Sequence, residues 1–140
     1  MNIVELEEML KQIGANPLHY EVGGYCGSDL GLSLKLSPDK WGIYHSECGR
    51  HELLASFDSE SEACVHFLEI IGNNRFYLTH NMGTFNNPLS AQTLAQKLEA
   101  AQINSEVREI GIGAVPERQI NFQVLVFGSD FSKAKVIRGY

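Results

Sequence analysis

Apolar side chains recur along this chain with two different periods, and each change of period marks a new element. Near the start, Ile3, Leu6, Met9, Leu10 and Ile13 fall on one face of a helix over residues 2–14. Asn2 with Glu5 makes a capping box. Gly14 and Pro17 close the helix, glycine by tolerating a left-handed cap and proline by refusing to continue. Glu5, Glu7, Glu8 and Lys11 lie off the stripe and face water.

The period then shortens to two. Leu18–Val22 is a short mixed strand, and Gly23-Gly24 and Gly27-Ser28-Asp29 mark turns. Leu30, Leu32, Leu34 and Leu36 alternate with Gly31, Ser33 and Lys35, the signature of a half-buried strand. After a turn at Ser37-Pro38-Asp39-Lys40, Trp41, Ile43 and His45 alternate with Gly42, Tyr44 and Ser46. Trp41 is expected in the core, because a large aromatic that begins a strand packs inside. Cys48-Gly49 makes a hairpin tip, since glycine supplies positive φ at little cost. A fourth strand runs from His51 to Phe57, and the four together read as an antiparallel meander.

Helical spacing returns at Asp58. Ser59 with Glu62 forms a second capping box, and Ala63, Cys64, Phe67, Leu68 and Ile71 make an apolar stripe up to Gly72. Residues 73–89 show no clear period and read as a long loop. A loop of that length in a small domain is functional or conceals an element. Its apolar content, Phe76, Tyr77, Leu78, Met82 and Phe85, either anchors it to the core or meets a partner. Ser90 caps a third helix with Leu94, Leu98 and Ala101 inside. Glu106–Ile112 and Ile120–Phe127 read as strands, and Lys133–Ile137 as a last edge strand whose lysines suit an edge. The order α-β-β-β-β-α-α-β-β keeps strands consecutive. It predicts an α+β fold with a mainly antiparallel β-sheet covered by helices.

Composition narrows the class. The chain has 140 residues, 44% hydrophobic and 20% charged, which fits one globular domain over residues 1–140 that folds without a metal or disulfide staple. No run approaches a membrane span, and Met1-Asn2-Ile3-Val4-Glu5 lacks the flank of a signal peptide. Cys26, Cys48 and Cys64 are an odd number, which suits a reducing cytoplasm. The net charge is −6, which argues against nucleic acid as a partner. That charge is uneven: residues 1–69 carry 12 acids and 4 bases, residues 70–140 carry 5 acids and 7 bases. The split is either two ordinary solvated faces or an acidic surface made to meet a basic partner.

Candidate chemistry is sparse. His45, Cys48 and His51 straddle the hairpin with HxxCxxH spacing, but no second ligand pair accompanies them, so polar residues on an exposed hairpin account for them better and no metal is expected. Cys64 sits on an apolar stripe as a small core residue, and Cys26 lies in the glycine-rich turn Gly23-Gly24-Tyr25-Cys26-Gly27, which matches no phosphate-binding motif. His19, His66 and His80 are isolated. Glu60 and Glu62 are explained by the positive end of the helix dipole. Gln119 to Phe127 lacks the basic and aromatic signature of an RNA-binding sheet.

One stretch resembles a family. Trp41-Gly42-Ile43-Tyr44-His45-Ser46-Glu47-Cys48-Gly49-Arg50, followed by Phe57-Asp58-Ser59-Glu60-Ser61-Glu62-Ala63-Cys64-Val65-His66-Phe67-Leu68, is similar to small immunity proteins of bacterial polymorphic-toxin and contact-dependent growth inhibition systems. Those proteins show a Trp-led strand into a Glu-x-Gly turn, a strand ending in Phe and an acidic Ser-Glu helix start. Here Cys48 stands at the middle of the turn, where they more often carry Arg. The resemblance implies a non-enzymatic, cofactor-free cytoplasmic protein that binds and neutralises a cognate toxin domain, commonly a nuclease. Nucleases are usually basic, and an acidic protein would be steered to one. Glu47, Glu52, Asp58, Glu60 and Glu62 are the expected partner contacts, with neither nucleic acid nor membrane as partner. The alternatives are a small cytoplasmic enzyme using Cys26 or the His45/Cys48/His51 group, and an adaptor unrelated to toxins.

Overall fold

The computed structural model describes residues 1–115 and 117–139. It contains four helices and seven strands, an α+β arrangement as the sequence pattern predicts. The strands form two sheets. By its contacts the chain divides into two compact units, Met1–Leu78 and Thr79–Tyr140.

Unit 1 begins with helix α1 (Ile3–Gln12), whose N-cap Asn2 accepts a hydrogen bond from the Glu5 N–H at 2.9 Å. Strands β1 (Tyr20–Val22), β2 (Leu30–Leu36), β3 (Trp41–Glu47) and β4 (Arg50–Phe57) follow, lying side by side in that order. Helix α2 (Glu60–Gly72) closes the unit, with Ser59 capping the Glu62 N–H as expected and Gly72 as its last residue. Leu6 and Leu10 of α1 and Ala63, Cys64, Phe67 and Ile71 of α2 pack with Leu32, Leu34 and Ile43 into one core. Trp41 is half-buried against it.

The expected antiparallel meander fails at its first member. β1 pairs parallel with β2, Tyr20 beside Leu32 and Val22 beside Leu34. The chain must therefore return the length of the strand between Val22 and Leu30. A three-residue strand makes so short a crossover feasible. Residues 23–29 carry that return over the sheet face opposite the helices.

Unit 2 holds β5 (Thr79–Phe85), α3 (Pro88–Ala100), β6 (Glu106–Ile112), β7 (Gln119–Phe127) and α4 (Asp130–Arg138). Its sheet is antiparallel, in the order β5-β7-β6. Met82, Ala91, Leu94, Leu98, Val124, Val126 and Ala134 form its core. Three expectations are corrected here. The 73–89 loop contains a 3₁₀ turn at Arg75–Leu78 and the whole of β5. The strand escaped notice because Thr-His-Asn-Met-Gly-Thr-Phe has little β-branched content and a bulge between Asn81 and Gly83 that breaks its alternation. Helix α3 starts at Pro88 with Asn87 as its cap, rather than at Ser90. Lys133–Ile137 is part of helix α4, not an edge strand. Phe131, Ala134 and Ile137 share a helical face, Gly139 ends the helix at φ 93°, and Lys135 and Arg138 sit in its last turn, where cations suit the dipole.

Candidate functional site

The hairpin β3–β4 carries the His45/Cys48/His51 group and two of the five acidic positions, Glu47 and Glu52. Its tip is a two-residue turn with Cys48 at φ 49° and Gly49 at φ 82°, both left-handed as such a turn requires. The Cys48 N–H donates to the Asp29 carbonyl at 2.7 Å, which ties the tip to the crossover loop. Around it His45, Glu47, Cys48, Arg50, His51 and Glu52 line an open recess of ≈630 Å³.

Register decides what those side chains can do. Ser46 lies opposite His51, while His45 lies opposite Glu52. Neighbouring residues on a strand point to opposite faces, so His45 and His51 are directed apart. This is the physical reason the HxxCxxH spacing gathers no metal set: no three His, Cys, Asp or Glu side chains converge as ligands among the described residues.

On the face away from the helices, His51 takes part in a packed cluster. Its Nδ1 lies 2.7 Å from the Ser46 hydroxyl, and the Tyr25 ring stacks on the imidazole with centroids 4.0 Å apart. Tyr25 also meets the edge of Tyr44 at 5.2 Å, and the Lys35 ammonium stands 4.2 Å from the Tyr25 ring. Next to Tyr25, the Cys26 N–H donates to the buried Ser33 hydroxyl at 2.7 Å. Gly31 has to lack a side chain there, because a Cβ would come within 2.4 Å of the Cys26 sulfur. Ser46 is fully enclosed, so its hydroxyl serves as a strut and not as an exposed nucleophile. The glycine-rich turn is thus a cover for the sheet, with Tyr25 and Cys26 as its two pegs.

The cysteines differ in setting. Cys26 and Cys64 are buried and Cys48 is exposed. Burial, and after it the charge of Glu60, pushes the Cys64 thiol above its ordinary range, which fits a core residue. His19 shows a clear shift. Burial pulls it below its ordinary value against the opposing effect of a hydrogen bond to the Leu30 backbone. Its Nδ1 finds no partner, and its ring packs 4.5 Å from Phe76.

The five acidic positions fall into two kinds. Glu47 and Glu52 are exposed near the hairpin tip, and Asp58 and Glu62 are exposed where β4 hands over to α2. Asp58 meets Lys40 at 3.6 Å, both side chains largely in water. Glu60 instead accepts the Ile3 N–H at 2.9 Å and so caps α1 from across the unit. Glu62 lines a groove with Phe57, Ser61, Val65, His66 and Glu69, a feature that sequence reading missed. Phe57 and His66 sit 5.2 Å apart in it. The signal was present in Val65, an apolar residue off the buried stripe of α2 and 43% exposed. Of the apolar residues in 73–89, Tyr77 is buried in the core of unit 1, while Met82 is buried in that of unit 2 and Phe85 packs against it.

Charge follows the division into units. Met1–Leu78 holds 12 acidic and 5 basic side chains, a net −7, and the remainder holds 5 and 6, a net +1. No described helix is long and apolar enough to cross a membrane. No family model matches the chain, and no curated protein or solved structure matches it.

Proposed function

We propose that this chain is an immunity protein: a non-catalytic cytoplasmic binder that captures and neutralises a basic toxin domain, such as a nuclease, on the acidic surface of unit 1. The observation that carries the proposal is the concentration of charge, −7 in the first 78 residues against +1 in the rest. Glu47, Glu52, Asp58 and Glu62 stand exposed on the hairpin and the start of α2, within the stretch that resembles the family. A field of that sign raises the encounter rate with a polycationic surface and disfavours nucleic acid itself. Holding a partner in this way needs side chains presented on rigid elements and no reacting group.

The test is co-expression with the C-terminal domain of a large secreted protein encoded immediately upstream of this chain's gene. Cells carrying both are expected to grow and to yield a complex whose affinity falls with added salt. Growth arrest with no complex would refute the proposal.

A further inference from the structure

β4 is the outer strand of its sheet, and among the described residues nothing pairs with its far side. Exposed strand edges are commonly protected by shortness, charge or proline. The other outer strand of this sheet, β1, has only three residues. In unit 2, β6 carries Glu106, Arg108 and Glu109, while β5 is uncharged and broken near its middle by a bulge between Asn81 and Gly83. β4 is eight residues long, and its last five, Leu53-Leu54-Ala55-Ser56-Phe57, contain neither charge nor proline. Its one irregularity is a bulge: Tyr44 pairs with Leu53 and Ile43 with Ala55, so Leu54 has no opposite residue. The extra residue breaks the alternation and leaves Leu53 and Leu54 half in water, at 53% and 50% exposure.

The hairpin geometry fixes which peptide groups are free. A two-residue turn is flanked by a pair that exchanges both hydrogen bonds, here Glu47 and Arg50, and the bonded pairs alternate from there. The peptide groups of His51 and Leu53 therefore point away from β3. Alongside, on the helix face, runs the groove of Phe57 and Val65 rimmed by Glu62 and Glu69.

We infer that an extended basic segment of the partner adds to the free edge of β4 as a further strand. It pairs with the outward peptide groups of His51 and Leu53. On the helix face it sets an apolar side chain against Phe57 and Val65, and Lys or Arg beside Glu62 and Glu69. Main-chain pairing gives the affinity, and the groove gives the side-chain preference. Charge selects this occupant over a second copy of the chain, because pairing two β4 edges would bring Glu52, Asp58 and Glu62 of both copies together. The inference rests on the reading of unit 1 as a surface for a basic protein, and names the way that protein docks.

The experiment is amide hydrogen exchange on the full-length protein, with a blocked octapeptide of alternating Lys and Val as probe and the matching Glu–Val peptide as control. The Lys–Val peptide is expected to slow exchange at His51 and Leu53 at least tenfold, less so in high salt, while the control does nothing. Leu53→Pro removes one outward N–H and should abolish the protection, with Trp41 emission confirming its fold. The pattern on the unaltered protein decides the matter even where that variant fails to fold. Unchanged exchange at both residues with the Lys–Val peptide, or equal protection by the two peptides, overturns strand addition. A second arm with the upstream toxin domain separates the two proposals. A complex with these amides unprotected overturns the docking mode and leaves the immunity function standing. Peptide protection without any toxin complex supports the edge site and removes the immunity function.

Discussion

Unit 1 lays α1 and α2 on one face of a four-stranded sheet, and unit 2 lays α3 and α4 on one face of a three-stranded sheet. Both cores are built on leucine, alanine and isoleucine, with Phe67 and Tyr77 enclosed in unit 1 and Met82, Val124 and Val126 in unit 2. The difference lies outside them. The acids of unit 1 outnumber its bases by seven, and its outer strand β4 ends in five uncharged residues. Unit 2 is near neutral; of its two outer strands, β6 carries an ion pair, Arg108 to Glu106 at 3.8 Å, and β5 is uncharged. Folding does not require the charge excess, since unit 2 has a core without it, whereas an uncharged outer strand is common to both units, β4 in one and β5 in the other. Both features cost stability, through self-repulsion and through an edge prone to pairing. The charge excess is what separates unit 1 from unit 2, and it is the ground on which unit 1 is proposed as the surface for a partner.

The largest losses are expected at the two cores. Phe67 has no exposed surface, and Phe67→Ala should cost about 3–5 kcal/mol; Leu98→Ala in unit 2 should cost about 2–5 kcal/mol. Urea titration followed by Trp41 emission reads the first loss within unit 1. Next is the loop-covered face of that unit. Ser33→Ala leaves the Cys26 N–H buried without an acceptor and should cost about 1–3 kcal/mol by the same titration.

A smaller effect separates acids that hold the fold from acids that face outward. Glu60→Ala removes the cap on Ile3 and should lower stability by about 1 kcal/mol. Glu62→Ala should leave stability near its starting value and weaken the complex instead. Equal stability losses in thermal melts of the two variants would erase the distinction. The smallest effect is on pH. His19 has a folded pKa below its ordinary 6.5, so the unfolded chain binds the proton first. The contribution of His19 to stability is full above pH 6.5 and is lost as pH falls from there towards the folded value. His19→Gln should flatten the stability profile over that window, as measured by denaturant midpoints.

Much of the fold was legible because it rests on local rules. The caps at Asn2 and Ser59, the leucine alternation of β2 and the Cys48-Gly49 turn each depend on a few adjacent residues. What was not legible depends on distant pairing. The parallel register of β1 follows from a crossover that no local period encodes. β5 is a strand because it lies beside β7, despite a sequence poor in β-formers. α4 has only nine residues, and its short apolar run supports either period. The acidic positions near the hairpin were readable as charges, but not their division into Glu60, which caps a helix, and Glu62, which lines a groove. The groove itself arises where β4 passes α2, and only Val65 announced it.

If the acidic surface of unit 1 captures a basic protein as proposed, its charge must govern the encounter. The most direct measurement is the association rate with the upstream toxin domain, at low and high salt, of a variant carrying Glu47→Gln, Glu52→Gln, Asp58→Asn and Glu62→Gln. Association at low salt should slow by about tenfold or more, and most of its salt dependence should disappear. A variant that binds as fast as the unaltered chain, with the same salt dependence, would contradict the proposal.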